Sequence, residues 1–113
     1  MIRSSVDHLE DIRSSIDDIL TFVEGYTYER FEDDKKTQYA VIRALEVIGE
    51  ASKNVSSDVR SQYPSVPWRE MASMRDRLIH AYFGVDTRIV WDTIQQDLPS
   101  LGSSISLILN DLD

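Results

Sequence analysis

Apolar residues recur at steps of three and four along most of this chain, which is the spacing of one face of an α-helix. The first such run consists of Val6, Leu9, Ile12, Ile16, Leu20 and Val23. It predicts an amphipathic helix of roughly 20 residues. Gly25 and the aromatic stretch "YTY" that follows it predict the end of this helix.

A second helix is predicted from about Asp33 to Val55, with an inner face formed by Ile42, Leu45, Ile48, Ser52 and Val55. Gly49 weakens the middle of that helix, so we expect it to permit a close approach by a neighbouring helix. The polar stretch "SSDVRSQY" then predicts a short turn.

Pro67 suits the first position of a third helix, which carries "MRDRLIHAYFGVD" and ends near Gly84. Asp86 is a good N-cap for a fourth helix. Pro99 should kink or break that helix, although the apolar spacing continues to Leu112. No convincing strand appears, so the pattern predicts an all-α, up-and-down bundle of four to five helices.

Length and composition define what kind of molecule carries these helices. With 113 residues, we expect one domain over residues 1–113. No apolar run is long enough to span a membrane, and "MIRSSVDHLED" is too polar for a signal peptide. The absence of cysteine fits a reducing compartment. We therefore expect a cytoplasmic protein without membrane contact.

Charge is unevenly distributed along the chain. The formal net charge of −8 argues against nucleic-acid binding by bulk electrostatics. Residues 60–88 reverse the balance, because five arginines face three carboxylates there; these are Arg60, Arg69, Arg75, Arg77 and Arg88. Arginine suits bidentate contact with phosphate. Ordinary surface pairs with the acidic segments are the alternative.

The third helix concentrates reactive groups. Asp76 and His80 are four residues apart and share a face, and Arg77 neighbours His80. Arg75 lies about 140° from His80 around the helix axis, and Tyr82 lies on a different side of the helix from His80. One straight helix would not aim these groups at one point. Either a long arginine reaches around, or a second copy supplies the missing face; the alternative is that Asp76 simply orients a surface His80.

Arg75, His80 and Tyr82 match the Arg-x4-His-x-Tyr motif of HepT-type toxins, which belong to the HEPN superfamily of helical ribonucleases. The stretch "ALEVIGEASKNV" resembles the family's second helix. The stretch "YPSVPWREMASMRDRLIHAYFGVDTRIVWDTIQQDLPSL" resembles its third and fourth helices almost throughout. The resemblance spans essentially the whole chain and implies a HEPN-like fold.

The resemblance implies the toxin of a toxin–antitoxin pair, a metal-independent endoribonuclease without a cofactor. Its RNA substrate would be cut in a cleft between the two subunits of a homodimer. His80 would transfer protons and Arg75 would bind the scissile phosphate. Asp76 would fix the tautomer of His80 or raise its pKa. Arg77 would supply a second phosphate contact or pair with a nearby carboxylate.

Tyr82 has a different role in the resemblance. The partner antitoxin is a minimal nucleotidyltransferase that transfers AMP from ATP to this tyrosine. The added bulk and charge would exclude RNA from the cleft. A half-buried aromatic at a helix end is the structural alternative, and the two are compatible.

Two other pairs of residues are weaker candidates for a functional site. Glu46 and Glu50 are four residues apart, but two carboxylates without a nearby histidine argue against a metal site. Trp68 and Trp91 could stack on bases, although Trp91 belongs to an apolar run. The alternative function is a non-catalytic helical interaction or nucleotide-binding module.

Overall fold

The structure is a computed structural model that describes residues 4–80 and 86–112. Only the backbone is described at positions 75 and 77–80. The described residues form seven α-helices and no strand: α1 Ser5–Phe22, α2 Tyr28–Glu32, α3 Lys35–Asn54, α4 Ser57–Gln62, α5 Trp68–His80, α6 Thr87–Gln96 and α7 Leu98–Leu112. The all-α prediction is confirmed. None of these helices combines the length and apolarity needed to cross a membrane.

Helices α1 and α3 form the central pair and run in opposite directions. The backbone N–H of Ser56, just after α3, donates to the hydroxyl of Ser5 at the start of α1 over 2.9 Å. At the other end, the Tyr26 hydroxyl after α1 donates to the carboxylate of Asp34 before α3 over 2.7 Å. Helix α7 packs on α1, and α5 packs on α3.

The buried side chains of these helices form one hydrophobic cluster. Its largest fully buried members are Phe31, Leu9, Ile12, Ile16, Ile19, Leu45, Ile48, Ile94, Leu98, Ile105, Ile108 and Val41. The predicted spacing is confirmed for Leu9, Ile12 and Ile16 on α1 and for Leu45, Ile48 and Ser52 on α3. On α1, Val6 and Leu20 are only half-buried, and Ile19 is buried in place of Leu20. Ile42 is only half-buried, because Val41 takes the central position of that face.

The connection between α1 and α3, which contains α2, is held by hydrogen bonds to one carboxylate. Gly25 has a φ of +76°, a left-handed conformation that glycine adopts without strain. Asp34 caps α3 by accepting from the backbone N–H of Thr37 over 3.1 Å and from its hydroxyl over 2.7 Å. The hydroxyl bonds from Thr37 and Tyr26 lower the pKa of Asp34 to about 2, because they stabilise the ionised carboxylate.

The prediction of four to five helices was too low, because two short helices occupy segments in which no helix was predicted. Tyr28 begins α2 after Thr27, whose side chain accepts from the N–H of Arg30. "SSDVRSQY" contains α4, which is capped in the same way by Ser56. Each has six residues or fewer, so neither shows a helical period.

Two proline predictions have clear outcomes. Helix α6 ends at Gln96 and α7 begins at Leu98, so the predicted break is confirmed. Pro99 lies in the first turn of α7, where its missing N–H has no intrahelical partner to lose. Helix α5 begins at Trp68, one residue later than predicted, and Pro67 supplies the carbonyl that accepts from Met71 over 3.0 Å. The predicted end near Gly84 lies outside the described residues.

Candidate active site on helix α5 and the adjoining groove

Helix α5 carries most of the motif, and its buried face fixes how the motif positions are arranged. Trp68 and Met71 are buried, and Met74 packs partly against the core. Met71 therefore marks the inner face. Position 80 lies about 180° from Met71 around the helix axis, whereas position 75 lies only about 40° from it. The two motif positions on α5 thus lie on different faces, and Tyr82 lies outside the described residues.

Asp76 lies next to the first motif position on α5 and makes a contact with α3. Its side chain is exposed, and its Oδ1 atom lies 3.3 Å from the Nζ atom of Lys53, near the end of α3. Asp76 and position 80 are four residues apart on one face of α5. The carboxylate that was predicted to support His80 therefore contacts a cation from a second helix, a contact that the sequence alone does not predict.

A groove of about 560 Å³ lies beside this face of α5, between α4, α5 and the end of α3. It is lined by the cations Lys53, Arg60 and Arg69, the serines Ser57, Ser61 and Ser73, and by Trp68, Ala72 and Asp76. Three cations and one carboxylate give this lining a formal charge of +2, whereas the whole chain carries −8.

The groove and position 80 share one face of α5. Relative to Met71, the groove residues Arg69, Ser73 and Asp76 lie at about 160°, 200° and 140° around the axis, and position 80 lies at about 180°. The helix rises by about 1.5 Å per residue. Position 80 therefore follows Asp76 along the same face by about 6 Å.

The described arginines divide between the two alternatives for the basic segment. Arg88 forms an ion pair with Asp92 at 3.4 Å and lies 4.6 Å from the ring centre of Tyr28, so it is a surface pair. Arg60 and Arg69 form no ion pair within residues 4–80 and 86–112. The Nε atom of Arg60 is buried, and no described residue accepts its proton.

The start of α6 is held by its own cap and by contacts with α2. Asp86 caps α6 by accepting from the N–H of Arg88 over 2.9 Å, as predicted. The hydroxyls of Tyr28 and Thr87 lie 3.0 Å apart. The Trp91 ring packs 5.5 Å from that of Phe31. These contacts fix the start of α6, immediately after the segment that contains Tyr82.

Glu46 and Glu50 line a second groove of about 390 Å³ between α1 and α3. His8 lines the same groove, so a histidine does lie near this pair, contrary to the sequence analysis. Arg43 also contributes, with its Nη1 atom 3.4 Å from Oε2 of Glu46. In the part of the chain that the structure describes, no cluster of His, Asp and Glu side chains has the geometry to hold a metal ion.

Neither tryptophan presents an open stacking surface. Trp68 is buried, and its Nε1–H donates to the carbonyl of Tyr63 over 3.0 Å. Trp91 is half-buried against Phe31 and Tyr28, which agrees with its place in an apolar run. Both rings therefore have structural contacts, and Trp68 also forms one wall of the basic groove.

The fold and the motif helix together define the class of protein. It is an all-α protein whose Arg-x4-His-x-Tyr motif begins on a helix beside a cationic groove. The family described as "Ribonuclease HepT-like" matches residues 12–108. The chain belongs to this ribonuclease family.

Several relatives cover nearly the same length. A Thermococcus cleftensis protein named "Probable ribonuclease HepT" is 58% identical over 101 residues, which cover 89% of this chain and 92% of that protein. A Methanocaldococcus jannaschii protein whose name gives it provisionally as an RNase is 48% identical over 93% of this chain and 90% of its own length. A third, from Caldanaerobacter subterraneus and named in the same way, is 42% identical over 90% and 91%. No solved structure matches the chain significantly.

Proposed function

We propose that this protein is a metal-independent endoribonuclease and the toxin of a toxin–antitoxin pair, acting in the cytoplasm as a single HEPN-like domain over residues 1–113. One observation carries the proposal. Position 80 of a ribonuclease HepT-like chain lies on the same helix face as a cationic groove, although the chain as a whole is acidic.

The chemistry uses the 2′-hydroxyl of RNA as the nucleophile. His80 takes the proton of this hydroxyl, and the oxygen attacks the adjacent phosphorus. The bond from phosphorus to the 5′-oxygen breaks, leaving a 2′,3′-cyclic phosphate. A second imidazolium donates the proton that the 5′-oxygen requires. Arg75 stabilises the negative charge that grows on the phosphate oxygens.

A homodimer supplies what one subunit lacks. One imidazole cannot act as base and acid at the same moment, and two copies of His80 can share these tasks. The positions of Arg75 and His80 are about 140° apart on α5. A second copy of the helix would bring the missing arginine to each histidine across a two-fold axis.

Asp76 and Arg77 support this centre in the proposal. Asp76 accepts a hydrogen bond from His80 and thereby selects its tautomer, while Lys53 holds the carboxylate at 3.3 Å. Arg77 provides a second phosphate contact.

The proposed control acts on Tyr82. A nucleotidyltransferase antitoxin directs the phenolic oxygen at the α-phosphorus of ATP. The tyrosyl–phosphate bond forms, pyrophosphate leaves, and the phenolic proton passes to solvent. The bound AMP then blocks the cleft by its bulk and repels RNA by its charge.

Cleavage of RNA in EDTA tests the proposal. The purified, unmodified protein should cut RNA and leave cyclic phosphate ends, whereas His80→Ala should lose on the order of 10²-fold to 10⁴-fold in rate. His8→Ala is the matched control, because His8 lies on α1 and is the other histidine. Failure of the wild-type protein to cut any cellular RNA would favour the non-catalytic module instead.

A further inference from the structure

The groove between α4 and α5 has the features of a binding surface for a polyanion. Arg60 and Ser61 line it from α4, Arg69 from α5, and Lys53 from the end of α3. Three separate helices therefore direct donors into one volume of about 560 Å³. Guanidinium, ammonium and hydroxyl groups are the usual protein donors to phosphate oxygens.

Two of its cations lack a counter-charge. Lys53 contacts Asp76, but neither Arg60 nor Arg69 pairs with a carboxylate among the described residues. Arg60 is half-buried, and its Nε–H is without a described acceptor. Arg60 and Arg69 therefore give the groove positive charge that no described carboxylate neutralises.

The groove is also aligned with position 80, the histidine position of the motif. Arg69, Ser73, Asp76 and position 80 follow one another along a single face of α5. The distance from Ser73 to position 80 is about 10 Å along the axis. A chain of phosphates lying on this face would meet the groove and then position 80 in succession.

We infer that this groove binds the sugar–phosphate backbone of single-stranded RNA next to the cleaved bond, with Arg60 and Arg69 each contacting a phosphate. The inference rests on the proposed function for the identity of the polymer. Trp68 does not stack on a base, because its ring is buried and its N–H donates to the carbonyl of Tyr63. The contacts are therefore to the backbone, which carries no sequence information, and selectivity has to arise at the motif.

Binding of an RNA that cannot be cleaved tests this inference independently of catalysis. The probe is a fluorescent 12-nucleotide RNA with 2′-fluoro groups, which lacks the attacking hydroxyl. Arg69→Gln and the double variant Arg60→Gln/Arg69→Gln are compared with Arg13→Gln, which removes an exposed arginine from α1. Because Arg69 is exposed, its variant should fold even if loss of Arg60 disturbs α4.

The double variant should raise the Kd on the order of tenfold at low salt, and Arg13→Gln should leave it unchanged. The slope of log K against log salt should fall by about 0.7 for each phosphate contact removed. Equal affinities for the wild type and both groove variants would overturn the inference, as would groove variants that lose only their binding to the nucleotidyltransferase. Weakened binding in a protein that cleaves no RNA would overturn the catalytic proposal and leave the groove assignment in place.

Discussion

Lys53 Nζ lies 3.3 Å from Oδ1 of Asp76, and this contact joins the end of α3 to the motif helix. Both side chains are substantially exposed, at 39% and 52%. An exposed ion pair contributes about 0–1 kcal/mol to stability. The pair therefore adds little to the free energy of unfolding. Its consequence is that it positions the Asp76 carboxylate, four residues before His80.

Asp76→Asn should change the pH profile of RNA cleavage with little effect on stability. Loss of a neighbouring carboxylate lowers the pKa of a histidine, so the profile should shift to lower pH and the rate should fall by roughly tenfold. Asp76→Glu should restore part of the rate. Glu46→Gln, which removes the similar contact with Arg43, is the control. An unchanged pH profile in Asp76→Asn would remove Asp76 from the mechanism.

Tyr82→Phe should cleave RNA at nearly the wild-type rate and resist control by the antitoxin. The phenyl ring keeps the shape of tyrosine but lacks the oxygen that would accept AMP. Mass spectrometry after incubation with ATP and the nucleotidyltransferase should show an added nucleotide on wild type and on Tyr39→Phe, which alters an exposed tyrosine of α3. If a catalytically active partner still neutralises Tyr82→Phe, control acts through binding or another residue.

The contribution of Asp34 to stability should depend on pH in the acid range. Its pKa is lowered from 3.8 to about 2 in the folded protein, chiefly by the Thr37 hydroxyl. The unfolded chain therefore binds more protons between these values, and stability rises with pH across this window. The contribution is fully present above pH 3.8 and is lost as the pH falls toward 2.

Urea unfolding of wild type and Asp34→Asn checks this expectation. The difference in unfolding free energy should be constant near neutral pH and should shrink below about pH 4. Thr37→Val, which removes the main donor, should raise the pKa of Asp34 when its carboxyl is titrated by NMR. A wild-type midpoint near the ordinary value would show that these hydrogen bonds do not stabilise the ionised form.

Two isoleucine variants should separate the core from the surface. Ile48→Ala removes a fully buried side chain of α3 and should lower the unfolding free energy by about 2–5 kcal/mol. Ile89→Ala makes the same chemical change at a position that is 63% exposed, and should stay within about 0.5 kcal/mol of the wild type. Denaturant midpoints measure both. Equal effects would mean that α3 is not central to the folded core.

The long helices could be predicted because their signals are local. Apolar spacing identified α1 and α3, and Asp86 was correctly assigned as the cap of α6. The short helices could not be predicted, since five or six residues contain too few turns to show a period. Their caps, Thr27 and Ser56, are also residues that favour ordinary turns.

The candidate site was only partly accessible to sequence reasoning. The spacing of Asp76 and His80 follows from helix geometry alone, so it could be stated from the sequence. Lys53 lies 23 positions before Asp76, and only the packing of α3 on α5 brings the two together. Arg60 and Arg69 show the same limit. The excess of positive charge over residues 60–88 could be counted from the sequence, but whether a carboxylate pairs with either arginine depends on which helices become neighbours.

The contrast between the groove and the rest of the molecule affects how a charged polymer would reach it. A formal +2 lining on a −8 chain makes most of the surface repulsive to a polyanion and one strip attractive. Most collisions would therefore be unproductive, and those that succeed would share one orientation. Added salt would weaken the repulsion as well as the attraction. Moderate ionic strength should therefore make the orientation of approach less selective before it abolishes binding.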